Sequence, residues 1–177
     1  MSEKPLAGPH FRKATPEGDD RERDVCGHCG FIDYRNPKIV VGSVLSFDGK
    51  ILLCRRAIDP RKGYWTLPAG YLEIGETVED GARREAFEEA RVRPDLDQVL
   101  AVYSVPRISQ VQIMFRGTLK TADCAPGPES LDVRLFGWDD IPWLEIAFPT
   151  VYWALRHWKE SLVRSGFAPY SNPVDGL

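Results

Sequence analysis

Three glutamates in the stretch "GYLEIGETVEDGARREAFEEARV", Glu85, Glu88 and Glu89, stand at spacings i, i+3 and i+4. On an α-helix these positions fall within an arc of about 100°, so the three carboxylates share one face. Like charges at this spacing each weaken a helix by roughly 0.2–0.5 kcal/mol. The arc also borders an apolar side made by Val78, Ala82 and Ala86, which adds a desolvation penalty. A positive charge must offset this. Arg83, Arg84 and Arg91 offer one solution, a solvated acidic face balanced by arginines.

A second pattern, Cys26-Gly27-His28-Cys29, has the spacing of a thiol-disulfide site and also of half a zinc site. A redox pair needs a helix after it to lower the first thiol's pKa. The segment after Cys29 is "GFIDYRNPK", whose glycine, β-rich residues and proline deny that helix. The zinc-knuckle reading is preferred. A closed tetrahedral site needs four protein ligands, and upstream only His10 is available, while His28 inside the knuckle is badly placed to share an ion with both cysteines. The expectation is a half site without structural Zn2+; the alternative is a site finished by His10, a water or a partner chain.

Elements must position these groups. Thr77 can cap a helix that starts at Val78, with Asp80 three residues on. Upstream, "KIVVGSVLSF", "DGK" and "ILLCRRA" read as a β-hairpin with Asp48 and Gly49 in the turn. "DPRKGYWTLPAG" is a loop, and "YLEI" a short extended piece. Strands are predicted at "QVLAVYSV", "VQIMFRGTL" and "LDVRLFGW". A last helix runs from about Pro149 to Arg164, with Val151, Leu155, Trp158 and Leu162 on one stripe and Gly166 as its stop. Residues 1–24 are charged and poor in large apolar side chains, and read as an arm with little core of its own. The domain proper begins at Pro37.

Bulk properties narrow the class. A chain of 177 residues with 43% apolar and 28% charged residues can bury one core without disulfides. No apolar run approaches a membrane span and no secretory leader is visible, so the expected location is cytoplasmic. Cys54 and Cys124 read as structural thiols. A net charge of −3 gives no global attraction to nucleic acid.

Gly70, Glu76, Arg84, Glu85, Glu88 and Glu89 together match the signature G-x5-E-x7-R-E-U-x-E-E, and the chain thereby resembles the Nudix hydrolases. The resemblance implies an α/β fold, an α/β/α sandwich on a mixed sheet, with residues 37–177 as the hydrolase domain and 1–36 as an arm holding a degenerate half zinc ribbon. It implies Mg2+ or Mn2+ held by Glu85, Glu88, Glu89 and the main-chain carbonyl of Ala69, with Arg84 orienting a neighbouring glutamate and Glu88 or Glu89 taking part in catalysis. Two departures stand out. Arg91 occupies the position of the family's box-ending glycine, which predicts no left-handed residue there and a helix continuing to Pro94. Ala86 is a small residue at the aliphatic position.

Stretches such as "YRNPKIVVG", "LLCRRAIDPRKGYWTLPAG" and "IPWLEIAFP" are similar to a branch in which a small zinc ribbon precedes the Nudix domain. That branch implies a nucleotide-conjugate substrate, ADP-ribose first, with FAD, coenzyme A or NADH as alternatives. A non-catalytic nucleotide-binding module is the rival from another class. The branch also implies a homodimer, with no nucleic-acid or membrane partner. Candidate substrate contacts are Arg55 and Arg56, which alternate faces so that at most one readily meets a phosphate, and Trp65, which can stack on a base. Glu129, in the proline-flanked and mobile-looking loop "APGPES", is a further candidate for the catalytic base.

Overall fold

A computed structural model of the chain describes residue 8, residues 10–164 and residues 166–174. The chain divides into two compact units, Met1–Asn36 and Pro37–Leu177.

In the first unit, β1 (Phe11–Ala14), β2 (Arg23–Cys26) and β3 (Ile32–Asp33) form an antiparallel sheet in the order β1-β2-β3. Residues 11–24, expected as an arm, therefore belong to a hairpin, and polar groups are what close it. Asp19 accepts the N–H groups of Asp20 and Arg21 at 2.8 and 3.2 Å, and Arg23 Nε at 2.8 Å. Asp24 pairs with Lys13 at 2.9 Å and with Arg35 at 3.0 Å. Cys26 is the one buried residue among those described in this unit, so charge pairing substitutes for a core that composition alone did not offer.

The second unit is a mixed α/β sheet of seven strands. β4 (Lys38–Phe47) and β5 (Lys50–Arg56) form the hairpin, turning at Asp48 and Gly49 with φ of 47° and 73°, the left-handed pair that a two-residue turn requires. β6 (Trp65–Thr66) pairs with β5, and β7 (Ala69–Tyr71) pairs with β4. β8 (Asp95–Val105), β9 (Gln110–Thr118) and β10 (Ser130–Phe136) complete the order β10-β5-β4-β9-β8. β4 and β9 run parallel, in register from Lys38 with Gln110 to Ser46 with Thr118.

Two helices cover the two faces. α1 (Val78–Ala90) packs Ala82, Ala86 and Ala90 against Val41, Leu45, Leu52 and Cys54. α2 (Pro149–Ser161) packs Val151, Leu155 and Trp158 with Val44, Ile51, Leu53 and Leu100. Successive strand residues thus go to opposite cores, Leu52 and Cys54 under α1, Ile51 and Leu53 under α2. That is why "ILLC" is a continuous apolar run and not an alternating one.

Several boundaries differ from expectation, β8 for instance starting three residues early at Asp95, and three of them change how a neighbouring element packs. The extended piece predicted at "YLEI" lies at Ala69–Tyr71, where Gly70 pairs with Val41. α2 ends at Ser161, ahead of Arg164, and Leu162 is left half exposed. Ser161 Oγ donates to Trp158 O at 2.7 Å and Arg116 donates to Ser161 Oγ at 3.1 Å, so side chains compete for the last turn. The third is the end of α1, described with the site. Among the described residues, no helix is long and apolar enough to cross a membrane.

Candidate functional site

α1 begins where its sequence says it should. Thr77 Oγ1 accepts the Asp80 N–H at 3.1 Å and donates to Asp80 Oδ2 at 2.8 Å, holding the first turn. Two turns on, Arg84 spends its guanidinium on five acceptors. Nε and Nη2 donate to the two Glu76 oxygens at 2.6 and 3.0 Å, Nη1 to Glu85 at 2.7 Å and Glu88 at 3.0 Å, and Nη2 also to the Tyr71 carbonyl at 2.9 Å. The Arg84 bonds hold the Glu76 carboxyl below its usual range, and Arg84 itself is raised, first by Glu76. An ammonium cannot reproduce this fork. Arg84→Lys is expected to lower stability by about 2 kcal/mol, or about 4–8 °C in a chain of this size, measured by thermal melting. An unchanged melting temperature would show that Glu76, Glu85 and Glu88 do not depend on the fork.

The three spaced glutamates divide. Glu85 and Glu89 are buried, whereas Glu88 is exposed. Burial raises the Glu85 carboxyl, opposed by Arg84. Glu89 is pushed up to about 8, first by burial and then by the charge of Glu85; Arg56 works against this and Glu129 adds to it. Gly70, opposite on β7, lies so close that an added Cβ would overlap the Glu85 carboxylate. The close approach is reserved for glycine.

The loop after β9 brings the fourth acid. Ala125 N–H donates to Ala90 O and Gly127 N–H to Glu89 O, both at 3.0 Å, so the loop satisfies the last carbonyls of α1. Ser130 N–H closes onto Gly127 O at 3.0 Å, and Ala57 N–H takes Glu129 O at 2.8 Å. "APGPES", expected to be mobile from its prolines, is pinned at both sides. The end of α1 is a second correction. Arg91 is left-handed, with φ 58° and ψ 25°, and its N–H donates to Phe87 O at 3.0 Å while Val92 N–H reaches Ala86 O at 3.5 Å. This reversal satisfies two more carbonyls, and it is favourable enough to force a non-glycine residue into the conformation.

These groups line one cavity of about 990 Å³. Arg84, Glu85, Glu88, Glu89, Glu129, Ala69 and Arg56 all face it. Arg55 and Trp65 do not. Arg55 donates Nε to Gly63 O at 2.8 Å on the other side of β5. Trp65 is core: it is 5% exposed, meets Phe136 edge-on at 4.9 Å and has no free face for a base. Missing from the sequence expectations are Gln110, Gln112 and Met114, which line the cavity from alternate positions of β9, and Phe148 and Trp153 near the start of α2. Period-2 spacing in "QVQIM" was the available signal for the first three. For Trp153, nothing local separates it from the core stripe of α2.

The donor set fits a hard divalent cation: buried and exposed carboxylates, the main chain of Ala69 on the same cavity wall, and a glycine that keeps the approach open. Among the described residues, no three His, Cys, Asp or Glu groups stand as a ready ligand cluster, and Arg84 holds oxygens of both Glu85 and Glu88. In the first unit, Cys26 and Cys29 are free thiols in a tight turn in which Gly30 N–H donates to Cys26 O at 2.9 Å. Main-chain N–H groups of Cys29 and His28 hold the Cys26 thiol below its usual range. His10 is brought alongside, its carbonyl accepting Gly27 N–H at 2.8 Å.

Comparison with known proteins gives consistent matches. The family model described as NUDIX domain matches residues 35–158, and one described as Nudix N-terminal matches residues 8–35. The chain is 31% identical over 130 residues to an ADP-ribose pyrophosphatase of Methanocaldococcus jannaschii, spanning 71% of this chain and 77% of that protein. It is 30% identical over 123 residues to the NAD-capped RNA hydrolase NudC of Edwardsiella ictaluri, spanning 68% of this chain but only 47% of that protein. The crystal structure of a NUDIX hydrolase from Nitrosomonas europaea superposes with a TM-score of 0.87 at 43% identity, over 97% of both chains.

Proposed function

The chain belongs to the Nudix hydrolase family, and from that premise we propose that it is a Mg2+- or Mn2+-dependent pyrophosphatase that cleaves a nucleoside diphosphate joined to another group, ADP-ribose being the first substrate, to AMP and ribose 5-phosphate. The observation that carries this reading is the gathering of Glu85, Glu88, Glu89 and Glu129 on one cavity that also holds Arg56, Phe148 and Trp153. Acidic groups suit a cation-bridged diphosphate, and aromatic and amide groups suit a base. Residues 37–177 are the hydrolase domain, and residues 1–36 a half ribbon.

Glu85, Glu88, Glu89 and the Ala69 carbonyl would hold the ion. When bound it neutralises phosphate oxygens and lowers the pKa of a water. The chain's own groups do the rest. Arg84 fixes Glu85 and Glu88 relative to one another. Glu88 or Glu89 would accept a proton from the attacking water, and Glu129, which lines the same cavity, can share that work. Arg56 offers a fork to a phosphate oxygen.

The test is a panel of ADP-ribose, FAD, NADH and coenzyme A with Mg2+ or Mn2+, followed by chromatography for AMP. Hydrolysis of ADP-ribose ahead of the others is expected; all four left intact would sink the reading. Cleavage of NADH in place of ADP-ribose would be recognised by AMP and reduced nicotinamide mononucleotide as products. The family resemblance implies a homodimer, which light scattering of the purified protein tests.

A further inference from the structure

Four arginines line the cavity, Arg56, Arg84, Arg91 and Arg107. Arg84 is committed to carboxylates, and Arg56 donates Nε to Pro60 O at 2.8 Å and sits 5.2 Å over the Phe148 ring. Arg91 and Arg107 have no ion pair or side-chain hydrogen bond among the described residues, and of these two only Arg91 is held, with its guanidinium 5.3 Å from the Phe87 ring. Arg93 lies over the same ring at 4.7 Å, outside the cavity lining, and is also without a carboxylate among the described residues. Two cations against one ring, neither with a counter-charge among the described residues, leave both guanidiniums open to an anion.

The backbone supplies no reason for arginine at this place. A left-handed residue at φ 58° is where glycine sits without strain. Arg91 follows Glu88 and Glu89 by three and two positions, less than one helical turn, or about 5 Å along the axis. A group bound there adjoins a diphosphate lying against those glutamates.

We propose that Arg91, with Arg93 and Phe87 behind it, forms a subsite for a phosphomonoester on the ribose next to the cleaved diphosphate, so that this chain favours conjugates carrying that extra phosphate over those lacking it. A guanidinium offers a planar two-donor fork to a phosphate, and the dianion is the chemistry that a pair of unpaired arginines recognises best. The proposal deepens the pyrophosphatase reading and rests on it for the place of the diphosphate.

The experiment compares kcat/KM within matched pairs for wild type, Arg91→Gly and Arg91→Lys. ADP-ribose against its 2′-phosphate and NADH against NADPH probe a 2′-phosphate; dephospho-coenzyme A against coenzyme A probes a 3′-phosphate. Wild type is expected to prefer the phosphorylated member of at least one pair, and Arg91→Gly to reduce that ratio about tenfold, with Arg91→Lys between. Glycine suits the backbone here, so the variant is expected to melt no lower than wild type. Equal treatment of every pair by wild type, an unchanged ratio in Arg91→Gly, or an equal fall for both members would overturn the subsite, the last showing a mere counter-charge. A second arm measures, without turnover, the Kd of AMP against adenosine 2′,5′-bisphosphate and adenosine 3′,5′-bisphosphate by calorimetry. If no conjugate is hydrolysed, the pyrophosphatase reading fails, and the change of these Kd ratios in Arg91→Gly still decides the subsite.

Discussion

Glu89→Gln is expected to abolish hydrolysis and, at pH 8, to make the protein more stable. In the proposed role, where Glu89 takes a proton from water, its loss lowers kcat by about 10²- to 10⁴-fold. The stability effect comes from burial. Glu89 is 7% exposed, and its pKa is pushed up to about 8 from an ordinary value of 4.5, chiefly by desolvation and by the charge of Glu85. A carboxyl raised in this way binds its proton more tightly folded than unfolded, so its favourable contribution is complete below pH 4.5 and is lost as pH rises through about 8. At pH 8 and above the buried charge opposes folding. The neutral amide escapes that penalty, which is about 2 kcal/mol after allowance for Arg56 and relaxation, or about 4–8 °C. Melting curves in a chelating buffer from pH 5 to pH 9 check this. Wild type should lose stability relative to Glu89→Gln across that range, and a variant that melts lower than wild type at pH 8 would show that the carboxylate is fully compensated.

The same residues mark what was legible beforehand. Glu85, Glu88, Glu89 and Arg84 could be placed because a helix turns side-chain spacing into direction, and Thr77 fixes where the helix starts. Both helices and the β4–β5 hairpin were legible for the same reason: their signals are local. What failed was set by contacts far apart in the chain. Trp65 and Trp153 are buried in the same core, but pairing of β6 with β5 keeps Trp65 off the cavity, whereas Trp153, near the start of α2, forms part of the cavity wall as well. The hairpin of residues 11–26 depends on Asp19 and Asp24 finding arginine and lysine partners, a pattern that composition reads only as charge. Arg91 is the sharpest case. The missing glycine argued for a longer helix, yet hydrogen bonds to Ala86 and Phe87 and the loop at Ala125 stop it at Ala90.

That loop is the basis of the second large effect, Gly127→Ala. Gly127 lies against the end of α1, and a Cβ built on it would fall on the carbonyl oxygen of Glu88, with the Glu88 carbonyl carbon 2.8 Å away. Main chain is on both sides of this clash, so no rotamer relieves it, and the loop must move off the helix. Moving it breaks the bonds from Gly127 to Glu89 O and from Ala125 to Ala90 O, which leaves two helix carbonyls without their partners. About 2 kcal/mol of stability is expected to be lost. Activity should suffer more than stability. Glu129 is two residues further along, and a displacement of about 1 Å at a reacting group can lower the rate about 10²-fold. Gly166→Ala, with nothing within 4 Å of the new Cβ, serves as the neutral control. The route of the effect is testable in a double-mutant cycle. If Gly127→Ala acts by moving Glu129, then Glu129→Gln added to it lowers kcat little further, although alone it lowers kcat strongly. Full additivity of the two losses would place the effect elsewhere, in the uncapped end of α1 and the Glu88 and Glu89 side chains it carries.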